Sequence, residues 1–216
     1  MRLFSRKPQV SVQRWCDEFY SFIFEAIVRG VDPWQAYCAA AHKQLVEVAP
    51  AYADADGVAL AEQLRAMQLE AVGIAWMLKV EADLSPRFNQ CTHEYLKQHG
   101  RNHYWELMEP YNQTVAESTV GGRGPAHIAS MNVKRADAFD RWTPTVSDPT
   151  HAARAANRIG CAVEYKSTRL QSYMGYTLGE ALGYEAKGES NKCLGALAHG
   201  FITGALDELR KVKIIH

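Results

Sequence analysis

The sequence predicts an all-α fold: a single-domain bundle of about seven to eight helices spanning residues 1–216 and closing on a glycine-spaced C-terminal helical hairpin. Three observations lead there. Apolar residues recur at intervals of three and four through most of the chain, and no stretch alternates as a half-buried strand would. Asp32-Pro33, Ser85-Pro86 and Asp148-Pro149 each join a capping side chain to a proline suited to the first helical position.

Residues 1–10 read as a flexible basic arm, because Arg2, Arg6 and Lys7 are followed by no apolar run of the kind a signal sequence needs. The first helix covers residues 11–29, with Trp15, Phe19 and Phe22 on its apolar stripe and Gly30 as its stop. Asp32-Pro33 opens the second, which ends before Pro50. The third runs over 56–83 and is apolar nearly all round in its second half, which makes it the central helix. Glu70 falls inside that stretch, where a carboxyl must be paired, protonated or facing an opening.

The fourth helix begins at Ser85-Pro86 and stops at Gly100, and the fifth covers 102–120 with Pro110 expected to kink or divide it. Gly121-Gly122-Arg123-Gly124-Pro125 is a loop, and a sixth helix spans 126–142. A long helical pattern then extends from Asp148 to Tyr184, bent near Gly160, with Gly175, Gly179 and Gly183 on one side. After a polar break the last helix carries Gly195, Gly200 and Gly204. Glycine inside a helix is unfavourable by roughly 0.5–1 kcal/mol relative to alanine, so this concentration suggests backbones in close approach, as in a tight antiparallel hairpin.

Composition narrows the function classes. Formal net charge is zero, which argues against nucleic acid as the main partner, and no basic recognition helix stands out. No run of apolar residues is long enough for a transmembrane segment. Five widely spaced cysteines without a C-x-x-C pair read as reduced thiols, which together with the missing signal peptide points to a cytoplasmic protein.

Four candidate sites emerge. Tyr165, Arg169, Tyr173 and Tyr176 lie on the long helix and suit a protein interface, since both residue types combine apolar area with directional hydrogen bonds. Gly121, Gly122, Arg123 and Gly124 precede a helix and offer a weak anion-binding loop. His99, His103 and Glu106 would share one face of an uninterrupted helix and could present two imidazoles and a carboxylate to a divalent metal, although Gly100 interrupts them. Trp15, Trp34 and Trp76 could roof a small apolar ligand. Recognisable nucleophile, phosphate-loop and di-iron motifs are missing, and no cofactor is expected. The sequence therefore favours a non-enzymatic module that binds a protein partner or itself as a homo-oligomer, with the metal site and the apolar-ligand bundle as alternatives.

Overall fold

The computed structural model describes residues 7–80, 84–119, 174–184 and 188–215. Among them the chain is an all-α bundle with one small strand pair. In chain order the elements are β1 (Gln9–Ser11), α1 (Val12–Glu25), α2 (Pro33–Val48), a short 3-10 helix (Pro50–Asp54), α3 (Gly57–Lys79), α4 (Ser85–Gln98), α5 (His103–Thr119), α6 (174–181), α7 (Gly188–Lys211) and β2 (Lys213–Ile215). The helix expected over 126–142, the loop before it and the long helical pattern up to residue 173 lie outside the described residues.

Side-chain caps fix three of the helix starts. Ser11 Oγ accepts the Arg14 N–H at 3.3 Å, Asp32 Oδ1 accepts those of Trp34 and Gln35 at 2.8 and 3.3 Å, and Asp56 Oδ1 accepts that of Val58 at 2.9 Å. At α4 the expectation fails in detail: Leu84 occupies the cap position, and Ser85 is already helical and makes no capping bond. Gly100 and Gly183 end α4 and α6 in the same way. Each has a left-handed φ (+66° and +80°), and the residue after each bonds back across the turn, Arg101 N–H to Leu96 O at 2.7 Å and Tyr184 N–H to Gly179 O at 2.9 Å. Gly183 is thus a stop signal rather than part of a helix-interior stripe. Pro110 is carried within α5 without dividing it.

α3 is the centre of the bundle, as its composition predicts. Leu64, Met67, Leu69, Ile74 and Trp76 are all buried, and α7, α5 and α2 pack around it. α7 lies chiefly on α3 through Leu194, Ala198, Ile202, Ala205 and Leu209, an apolar stripe at helical spacing. Gly200 and Gly204 fall on the exposed side of that helix, where a Cβ would meet nothing within 4 Å. Among the described residues the close approach expected at these two glycines is therefore not made, because the large apolar residues turned the other face of α7 inward.

β1 and β2 pair in parallel, Val10 opposite Ile214, and both of these side chains pack against the core. Two-residue alternation over three residues is too short to register in the sequence, and the segment read there as a loose arm supplies Gln9 and Val10 to this pairing.

Between α1 and α4 the core holds a short hydrogen-bond chain. The Tyr20 hydroxyl donates to Thr92 Oγ1 at 2.7 Å, and Thr92 in turn donates to the Phe88 carbonyl at 2.9 Å. Beside it Trp76 stacks on Phe88 at 4.5 Å and meets Trp15 edge-on at 5.3 Å. Removing the end of the chain should cost less than removing its middle. Tyr20→Phe is expected to lower stability by about 1 kcal/mol, whereas Thr92→Val, which leaves a buried hydroxyl unpaired, should lower it by about 2 kcal/mol. Urea denaturation midpoints at constant slope measure both.

Candidate functional site

The most unusual chemistry of the described residues surrounds Arg65. It projects from the middle of α3 and is 3% exposed. Its guanidinium carbon stands 3.6 Å from the centroid of the Trp34 ring, at the start of α2, and 4.9 Å from that of Phe24, near the end of α1. Its hydrogen bond goes to Gln68 Oε1 at 2.6 Å, and no ion pair joins it to a described carboxylate. Burial lowers the guanidinium pKa to about 10, against the pull of Tyr104, Cys38, Asp32 and Glu62, so the group stays charged at neutral pH. The aromatic faces are what compensate a charge removed from water. Arg101, in the turn between α4 and α5, places a second guanidinium 4.4 Å from the Phe24 centroid.

Two carboxylates flank this knot. Glu25 accepts from Ser21 at 3.0 Å and from Tyr95 at 3.1 Å, with Arg101 and His99 at 3.6 and 3.8 Å. The two hydroxyl donors, helped by the neighbouring Arg101 guanidinium, hold its carboxyl below the ordinary range. Glu62, on α3, lies 3.0 Å from His103 Nε2.

The three proposed metal ligands are thereby sent apart. His99 caps α4, bonds the Tyr95 carbonyl at 2.9 Å through Nδ1 and stacks on the Tyr95 ring at 4.0 Å. Gly100 then turns the chain, so His103 starts a new helix and faces Glu62, while Glu106 is exposed on α5. The shared face expected of one continuous helix does not form, and no group of three His, Cys, Asp or Glu side chains among the described residues is set to hold a metal ion.

The tryptophans expected to roof a ligand are likewise occupied with protein. Trp15 and Trp76 pack with Phe19 and Phe88, and Trp34 packs with Arg65, Tyr37 and Phe201. Of the Tyr/Arg face only Tyr176 is described, and it is half-buried against the core; Tyr165, Arg169 and Tyr173 lie outside the described residues, as do Gly121, Gly122, Arg123 and Gly124. Cys16, Cys38, Cys91 and Cys193 are free thiols. Burial pushes all four upward, Cys38 to about 11, which disfavours the thiolate a nucleophile requires.

Arg65 shares the apolar stretch of α3 with Glu70, and that charge was a readable signal. Its partners were not, because Phe24 and Trp34 come from other helices. The two charges do not neutralise each other either: five residues apart, they sit on faces about 140° apart. Glu70 is 7% exposed, and among the described residues no hydrogen bond or ion pair reaches it. Burial, with repulsion from Glu109 second, raises its pKa from 4.5 to about 7.

Comparison of the chain with family models, with curated proteins and with solved structures found no match. Residue geometry therefore carries the functional reading.

Two outcomes follow from the buried charges. Arg65→Lys keeps the charge but loses the planar surface that lies on Trp34, and should destabilise the fold by about 2 kcal/mol in denaturant titrations. Glu70 binds its proton more tightly folded than unfolded, so stability should fall as pH rises from about 4.5 to about 7 and level off above. Glu70→Gln should flatten that dependence and, at pH 8, raise stability by up to about 3 kcal/mol relative to the parent chain.

Proposed function

We propose that this protein is a non-catalytic helical module that associates with a second copy of itself through the turn joining α1 to α2. The observation that supports this reading is the concentration of exposed apolar side chains there. Four of the seven large apolar residues exposed among the described residues, Phe22, Ile27, Val28 and Val31, fall between positions 22 and 31. Ile27, Val28 and Val31 are each more than half exposed. Such groupings mark association surfaces far more often than isolated exposed residues do.

The turn that presents them is well defined. Val28 and Val31 exchange backbone hydrogen bonds at 2.9 and 3.0 Å, and the two residues between them have positive φ, Arg29 at 53° and Gly30 at 78°, the geometry of a type I′ turn. Arginine in the left-handed region is unfavourable by roughly 1–2 kcal/mol, and a conformation of that kind persists only when its surroundings over-determine it. Here the surroundings are the Arg65 knot, which grips Phe24 just before the turn and Trp34 just after it. A surface held this rigidly loses little conformational entropy when it is covered.

A second copy is the favoured occupant. The chain has no net charge to oppose its own approach, and two-fold homodimers are the commonest soluble assemblies. The face that Tyr165, Arg169, Tyr173 and Tyr176 were expected to form is a further contact of the same module in this reading.

Light scattering coupled to size exclusion should give a dimer mass for the untagged protein at micromolar concentration. The double variant Ile27→Glu, Val31→Glu should elute as a monomer with an unchanged melting temperature. A parent chain that is monomeric under those conditions, or a variant that stays dimeric, would overturn self-association through this turn.

A further inference from the structure

Away from that turn a cavity of about 820 Å³ opens where the β1–β2 pair meets the C-terminal ends of α3 and α7. This volume lies within the roughly 300–1,000 Å³ typical of small-molecule sites. Its lining divides sharply by chemistry. Lys7, just before β1, Lys79, in the last turn of α3, and Lys213, on β2, supply three ammonium groups, and Gln9 is the remaining polar side chain. No carboxylate belongs to the described lining. The strand register fixes part of this arrangement: Gln9 is paired with Lys213, so both project from the same face of the two-stranded sheet.

The rest of the lining is apolar. Leu84 and Leu209 are buried at the back, at 4% and 1% exposure, and Val80 and Val212 are half-buried beside them. A site with cations at its rim and aliphatic walls behind them is matched by neither a bare inorganic ion nor a neutral hydrocarbon.

We propose that this cavity binds a small amphiphile that carries one anionic oxygen head group, carboxylate or phosphate, on an aliphatic body. The head group pairs with Lys7 and Lys213, both exposed residues of the lining, and the body displaces water from the leucine and valine wall. Lys79 is left out of the head-group pairing, because it has a partner of its own and also complements the C-terminal end of α3, so its removal would confound binding with helix stability.

Isothermal titration calorimetry on the full chain tests this with decanoate and decyl phosphate, each kept below its micelle-forming concentration. Saturable binding of at least one of the two, at one per chain, is expected, and which of them binds tighter identifies the head group. Acetate, inorganic phosphate and decyltrimethylammonium should each bind at least about tenfold more weakly. Lys7→Gln with Lys213→Gln should weaken the amphiphile by about tenfold or more, and Lys7→Arg with Lys213→Arg should retain it, with circular dichroism melting unchanged in both. The proposal is overturned if neither amphiphile saturates, if the cationic analogue or the bare ions bind as well, or if the glutamine variant binds like the parent.

Discussion

The Arg65 guanidinium sits over the Trp34 ring and within reach of Phe24, and the arrangement of the first three helices depends on that contact. A charge 3% exposed without an ion-pair partner among the described residues is expensive, and aromatic faces compensate it only while they remain in place. The arginine therefore constrains its neighbours as much as they constrain it: α1 must end near Phe24, α2 must begin near Trp34, and the residues between them must turn tightly. Trp34 extends the constraint to α7, since its ring lies 6.2 Å from that of Phe201.

Around this fixed point the polar groups of the core are used sparingly. The Tyr20–Thr92–Phe88 chain satisfies each of its donors, and Gln63 accepts the hydroxyl of buried Tyr111 at 3.1 Å. Glu70 stands apart, a buried carboxyl that no described side chain bonds, and burial, with repulsion from Glu109 second, raises its pKa. The histidines that suggested metal chemistry belong to this structural economy: His99 fastens the end of α4 through the Tyr95 carbonyl, and His103 fastens the start of α5 to Glu62 on α3.

The two surfaces with functional promise lie at different places in the bundle and rest on different physics. The turn between α1 and α2 offers rigid apolar area without charge complementarity, which suits a flat partner such as another copy. The cavity beside β1 and β2 offers aliphatic walls and, in its described lining, charge of one sign, which suits a small anion with an apolar body. No helix among the described residues is long and apolar enough to cross a membrane.

By itself the sequence determined the helices among the described residues. The periodic apolar spacing, the Asp32 cap, the glycine stop at Gly100 and the all-round apolar character of α3 are local properties, and local properties are written in consecutive residues. The same locality misled where a pattern had two readings: Gly200 and Gly204 share a helix face, but which face turns inward was settled by Leu194, Ile202 and Leu209 against α3. Only the tertiary structure decided which side chains meet. Arg65 finds Phe24 and Trp34 across large sequence separations, Gln9 and Lys213 come together through a three-residue strand pair, and His99 parts from His103 because one left-handed glycine redirects the chain. Contacts of that kind depend on how whole helices pack, and helical periodicity specifies which face is buried without naming the face it is buried against.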